Sequence, residues 1–319
     1  MSLDNDQKKK LYRLLYLGRR FEERLGELFT SNEIEGWVHL GIGQEGTGAA
    51  LSLCYEEGDY LVPYHRSRIS MLGKGLEPKS LLAEIMGKKT GCCNGVGGEA
   101  HIMDVESGIY GTGGIIAGNI PIAVGLAYAS KLEGENRVVV CGFGDGGSNR
   151  GAFHESLNMA AIFELPIVFI CENNQFAEFT ATKDTMKIEN IADRSAAFGM
   201  PGVIIDGSDP EKCVGAIQKA MNDARNGKGP TLIESKTFRV HGHYEGDPMR
   251  YVDGEETKKW LEKDPFITYR KQLLDGAFAA EDELAAIEEN VEKDLEDAVQ
   301  FALESERPTA EEVVENIYA

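Results

Sequence analysis
The stretch CGFGDGGSNRG, residues 141–151, decides the fold. Gly142, Gly144 and Gly147 stand at G-x-G-x-x-G spacing, the glycine pattern of a phosphate-binding turn, and Asp145 sits in the middle of it. A carboxylate beside bound phosphate is repelled unless a cation stands between them. The run before the turn, RVVVCGF (137–143), is short and β-branched, as a buried strand requires. The run after it, GAFHESLNMAAIFE (151–164), has helical spacing, with Phe153, Leu157, Ala160 and Ala161 on one face. LPIVFICEN (165–173) is a second buried strand, with Pro166 tolerated at its start.

The same alternation continues outward. GVIIDG (202–207) and PTLIESKTF (230–238) read as strands around a helix from Pro210 to Asn226. Strands alternating with helices predict an α/β fold, a parallel sheet with helices on both faces. Upstream, Leu11, Leu14, Leu15, Phe21, Leu25, Leu28 and Phe29 recur at helical steps over residues 8–30, with Arg19, Arg20, Glu22 and Glu23 between them. From Gly36 to Gly125 glycine is dense and interleaved with apolar residues, which predicts loops approaching a ligand or another backbone closely. The organisation expected is one domain over 1–319: an N-terminal helix (8–35), an α/β core (36–250) and a helical C-terminal extension (251–319). The opening MSL reads as a cloning scar.

A net charge of −20 speaks against nucleic-acid binding, because phosphate backbones repel it. Much of the acid lies between Glu281 and Glu306 at helical spacing, which predicts a solvated helix face, with an acidic docking surface as the other reading. The six cysteines show no C-x-x-C pair, and the adjacent Cys92 and Cys93 read as free thiols. No apolar run reaches the ~18 residues of a membrane span, so a cytoplasmic chain is expected.

Parallel strands end at the same edge of a sheet, where ligands collect. Asp145 and Asn174 therefore meet there, although 29 positions separate them. A carboxylate, an amide oxygen and a backbone carbonyl suit a hard cation such as Mg2+, which would bridge Asp145 to a diphosphate cradled by glycine amides. A dinucleotide site, with Glu172 as the ribose-binding acid, is the alternative at this point.

The combination is more specific than either half. GDG (144–146), followed after 26 residues by NN (173–174), is similar to the thiamine diphosphate (ThDP) motif. Over residues 8–319 the chain resembles the α subunit of the E1 component of 2-oxo acid and acetoin dehydrogenase complexes. The resemblance is carried by GQEGTGAALSLCYEEGDYLVPYHRSR, MGKKTGCCNGVGGEAHI, GGIIAGNIPIAVGLA and RVHGHYEGDP in the family's order. It implies a ThDP-binding fold with Mg2+ held by Asp145, Asn174 and the main-chain carbonyl of Phe176. It also implies diphosphate contacts from Gly146, Gly147, His65 and Arg66, and pyrimidine contacts from Gly114 and Ile116. His243 becomes a diphosphate contact and the proton donor or acceptor in acyl transfer. His241, two residues earlier, reads equally as a strand cap, and the H-x-H pair lacks a third metal ligand.

Three positions depart from the family. Arg68 stands where many relatives have histidine, Arg150 where Gln or Glu is common, and Tyr244 where kinase-regulated mitochondrial relatives have a serine. The implied chemistry is C–C cleavage beside a carbonyl of pyruvate, a branched-chain 2-oxo acid or acetoin, then acyl transfer to lipoyl-E2. The glutamate that such enzymes set against the aminopyrimidine belongs to a second α/β domain, for which this length has no room. An E1 β subunit in an α2β2 heterotetramer is therefore implied. A split transketolase half is the rival in the same cofactor class.

Overall fold
The β-branched runs form strands and the helical runs cover them. In the computed structural model, which describes residues 3–315, the strands are β1 (Tyr60–Val62), β2 (Val139–Gly144), β3 (Ile167–Asn173), β4 (Phe176–Ala177), β5 (Thr180–Ala181), β6 (Gly202–Asp206) and β7 (Thr231–Lys236). β4 and β5 make a small antiparallel hairpin, while the others build one sheet in the order β1-β2-β3-β7-β6. Every pairing in that sheet is parallel.

Side chains alternate across the sheet, as the strand period of two demands. Val140, Val168 and Ile170 enter one apolar layer, under the helices Asn5–Thr30, Pro210–Arg225 and Glu281–Glu304. Val139, Cys141, Phe143, Ile167, Phe169 and Cys171 enter the other, under Asn119–Glu133 and Gly151–Ile162. The α/β expectation therefore holds.

The glycine-dense segment differs from its expected loops. It contains β1 and the helices Glu45–Leu51, Arg68–Lys74, Pro78–Ile85 and Asn119–Glu133. Its glycines serve close packing: a Cβ on Gly46 would lie 2.0 Å from the carbonyl oxygen of Gly207. The N-terminal helix spans Asn5–Thr30, starting before the expected 8–35 and ending short of it as Asn32 turns to φ 63°. After residue 250 the chain is helical through Gly254–Leu261, Pro265–Asp275, Glu281–Glu304 and Ala310–Glu315. Met1, Ser2 and the last positions of the 251–319 extension, 316–319, lie outside the described residues.

The acidic helix is not simply a solvated face. Its carboxylates clamp the N-terminal helix: Asp294 takes Arg13 at 2.9 Å and Glu292 takes Arg20 at 2.5 Å. Arg19 and Glu22 of that helix are buried, Arg19 between Glu45 (2.6 Å) and Asp264 (2.9 Å), and Glu22 against Arg68 at 2.7 Å.

One buried carboxylate shapes a glycine-rich loop. Glu84, at the end of its helix, accepts main-chain N–H groups from Cys93 (2.8 Å) and Gly95 (2.9 Å) on Oε2. Its Oε1 accepts those of Gly97 (2.8 Å) and Gly98 (3.1 Å). A glutamine there would face two of these donors with an NH2 group. Glu84→Gln is expected to cost about 3 kcal/mol of unfolding free energy in urea titrations. A loss below about 1 kcal/mol would contradict the caging role.

Candidate active site
β2 and β3 pair with Gly144 opposite Glu172, so Asp145 and Asn174 emerge at the same edge of the sheet. They line one cavity of about 390 Å3. After Asp145 the chain makes a 3-10 turn, Asp145–Asn149, which presents Gly146 and Gly147 to the cavity, and then enters the helix Gly151–Ile162. After Asn174 the backbone bends through Gln175 (φ 74°) into the β4–β5 hairpin.

The cation side is made of oxygen atoms. Asp145 is buried, and its Oδ2 accepts the Thr182 hydroxyl at 2.7 Å. Burial pushes its carboxyl pKa upward, against the pull of that hydroxyl and of Arg239 and Arg66. Asn174 is fixed by donating Nδ2 to Gln44 Oε1 (2.9 Å) and by receiving the Phe176 N–H on Oδ1 (3.2 Å). Phe176 also lines the cavity.

Part of the lining is cationic. Arg66 and Arg239 are buried lining residues, and among the described residues neither forms an ion pair with a carboxylate. Arg66 donates to the carbonyls of Leu40 (2.8 Å) and His243 (2.7 Å), and burial together with Arg239 lowers its pKa to about 10. Arg239 donates to the Glu178 carbonyl and the Tyr251 hydroxyl, both at 2.7 Å, and burial lowers its pKa too. A buried carboxylate without a cation and buried guanidiniums without an anion, around one cavity, suit a divalent metal carrying an anionic ligand.

Two histidines also belong to the lining. His243 lines the cavity, with its main-chain N–H on Asp247 (2.7 Å) and its Nδ1 at 3.1 Å from Arg66 Nη2. Burial, then Arg66, pushes its pKa down to about 3, so it is neutral at pH 7. His65 also lines the cavity and is held well below the usual histidine range by burial and Arg66. Both rings pack on His39, whose Nδ1 meets Glu99 Oε1 at 2.5 Å.

His65, Arg66, Ile116, Asp145, Gly146, Gly147, Asn174, Phe176 and His243 thus surround a single space. Gly114 does not line it, although Gly113 and Ile115 on either side do. His241 lines a separate groove and lies 3.8 Å from Glu245. Sequence reasoning missed Tyr64, Arg239 and His39. Two of them were signalled only by adjacency: Tyr64 precedes the His65–Arg66 pair, and Arg239 opens the RVHGH run. Glu172 is buried and bonded to the Tyr64 hydroxyl, with burial raising its pKa to about 7. It does not line the cavity, so it does not serve as the ribose acid of a dinucleotide site.

The dehydrogenase E1 component family matches residues 13–311. The α subunit of acetoin:2,6-dichlorophenolindophenol oxidoreductase from Bacillus subtilis is 38% identical, covering 100% of this chain and 95% of that protein. The pyruvate dehydrogenase E1 component α subunit of Rickettsia felis is 36% identical, covering 97% of this chain and 95% of its own length. The Cupriavidus necator acetoin:2,6-dichlorophenolindophenol oxidoreductase α subunit is 37% identical over 100% of this chain. The chain belongs to the dehydrogenase E1 component family. It is a ThDP-dependent oxidoreductase, and the transketolase and dinucleotide readings fall away.

Within this E1 chain the three departures have different roles. Arg68 is fully buried, pairs with both oxygens of Glu22 at 2.7 Å, and holds the His65 carbonyl at 2.8 Å, so it braces the site loop. Arg150 lines the cavity, adding a third guanidinium. Tyr244 packs edge-on against Trp37, ring centroids 4.5 Å apart.

The neutral state of His243 yields a test. Its NMR titration in the free chain should show no midpoint between roughly pH 5 and 8. A diphosphate-bearing ligand, bringing negative charge beside Arg66, should move the midpoint up. A midpoint near 6.5 in the free chain would contradict the geometry.

Proposed function
We propose that this chain is the α subunit of a two-chain E1 enzyme that cleaves the C–C bond beside a carbonyl of a 2-oxo acid or acetoin and passes the acyl group to lipoyl-E2. The observation that carries the reading is the charge without an ion-pair partner around one cavity, Asp145 together with Arg66 and Arg239. Asp145, Asn174 and the Phe176 carbonyl would hold Mg2+, and the arginines with the Gly146 and Gly147 amides would hold a diphosphate, so that both signs of charge would be answered. Bound there, ThDP supplies the electron sink for C–C cleavage.

The chain's own residues hold, orient and exchange protons. Arg66 and Arg239 are fixed through carbonyls and a hydroxyl, so their charge faces the anion without reorganising. Ile116, half exposed on the cavity wall, offers apolar support to the pyrimidine side of the cofactor. His243 is neutral, and Arg66 donating to Nδ1 leaves the proton on Nε2, which suits it to offer a hydrogen bond to an oxyanion that develops during acyl transfer.

The E1 β subunit completes the site in an α2β2 assembly. Ile115 and Ile116 on the cavity lining and Ile122 on the helix that follows are exposed, which suits an interface there. Free thiols at all six cysteines fit a cytoplasmic setting. The reading is tested on the chain purified alone and saturated with ThDP and Mg2+. It should bind the cofactor yet show no 2-oxo acid or acetoin cleavage with an artificial electron acceptor. Robust turnover without a second polypeptide would overturn the split site.

A further inference from the structure
Away from the charged cavity, one cluster of reactive groups has no part in the E1 chemistry. Cys92 and Cys93 follow each other in the loop that Glu84 cages, and the two sulfurs and a Glu84 oxygen all lie within 4.8 Å of one another. Both cysteines are half-buried, whereas Cys54, Cys141, Cys171 and Cys213 are buried.

The trio is a poor metal centre. Glu84 already accepts four main-chain N–H groups, two on each oxygen, so it has no lone pair to spare for an ion. That leaves two thiols, and their surroundings make them unequal. Cys93 Sγ accepts the Met103 N–H at 3.2 Å, and the carbonyls of Met103 (3.2 Å) and His101 (3.6 Å) flank it. Cys92 packs against the apolar core beside it.

We propose that Cys92 and Cys93 form a reactive vicinal dithiol, a site of reversible two-electron oxidation by a hydroperoxide, with Cys93 as the attacking sulfur and Cys92 as the resolving one. The Cys93 thiolate attacks the peroxide oxygen, giving a sulfenic acid and hydroxide. The Cys92 sulfur then displaces the sulfenic oxygen, and the oxygen leaves as water with the Cys92 proton. Two thiols and one H2O2 become one disulfide and two waters. The division of labour follows the contacts: Cys93 takes a main-chain N–H on its sulfur, whereas Cys92 packs against the apolar core, where charge is disfavoured. Glu84 and Asp104 oppose ionisation, but the Met103 N–H favours the Cys93 anion.

The four other thiols are protected in two ways. They are buried, and burial raises the pKa of each. The dithiol also has a mechanical link to the cavity wall. Cys93 is tied to the segment 101–103, and Thr112, next to the lining residue Gly113, bonds Ile102 in both directions (2.8 and 2.9 Å).

The test uses the native full chain and peptide mass spectrometry after alkylation. Substoichiometric H2O2 should give a peptide containing Cys92 and Cys93 that has lost two hydrogens and resists alkylation until dithiothreitol is added, with the other four cysteines unchanged. Phenylarsine oxide should bind one equivalent and block both thiols together. Cys93→Ser, which keeps an acceptor for the Met103 N–H, should slow peroxide consumption at the site about tenfold. Cys92→Ser should instead leave Cys93 as a sulfenic or sulfinic acid. The inference is overturned if Cys92 and Cys93 alkylate independently after peroxide, if a buried cysteine oxidises first, or if the arsenical fails to join them.

Discussion
Charge buried without a partner is the constraint on which this molecule turns. Removing an ion from water costs several kcal/mol even after the protein relaxes. The chain bears that cost at Asp145, Arg66 and Arg239 around one cavity. The other buried arginines among the described residues do not. Arg19 lies between Glu45 and Asp264, and Arg68 grips Glu22, so these equally buried arginines are compensated within the fold. The contrast separates structural charges from those that await a ligand.

Much of the surrounding structure maintains that imbalance. The parallel register of β2 and β3 sets Asp145 beside Asn174. Thr182, carried by the segment after the β4–β5 hairpin, steadies the carboxylate, and Gln44 steadies the amide. Arg68 braces the loop that carries His65 and Arg66 through the His65 carbonyl. The main chain after β7 runs beside the Asn174 edge, with the Arg239 N–H on the Asn174 carbonyl at 3.2 Å, and this brings Arg239 and His243 to the site. Compensated ion pairs thus hold uncompensated ones in place.

The α/β core was legible because its strands are continuous β-branched runs and its turn residues are specific. RVVVCGF and LPIVFICEN are short and β-branched, as buried strands are, and the Asp145–Asn174 juxtaposition follows from their parallel pairing. The segment from 36 to 125 was opaque for a physical reason. β1 has three residues, and the helix Glu45–Leu51 is buried all round, so neither shows a polar-apolar period. Glycines that allow backbone contact, such as Gly46 against Gly207, look the same in sequence as glycines of a loop. Arg239 and Tyr64 were missed because burial and the lack of a counter-charge appear only in three dimensions. The acidic helix misled for the opposite reason: its periodicity was right, but its arginine partners lie about 270 positions away, as Arg20 and Glu292 show.

Calorimetric titration of ThDP into the full chain, with Mg2+ and again after chelation, tests the uncompensated cavity most directly. If Asp145 and the arginines await a metal and an anion together, Mg2+ should tighten ThDP binding at least about tenfold, the size of an ordinary coupling between two ligands. Asp145→Asn should erase that difference while the circular dichroism spectrum stays unchanged. Equal ThDP affinity with and without Mg2+ in the unaltered chain would contradict the account.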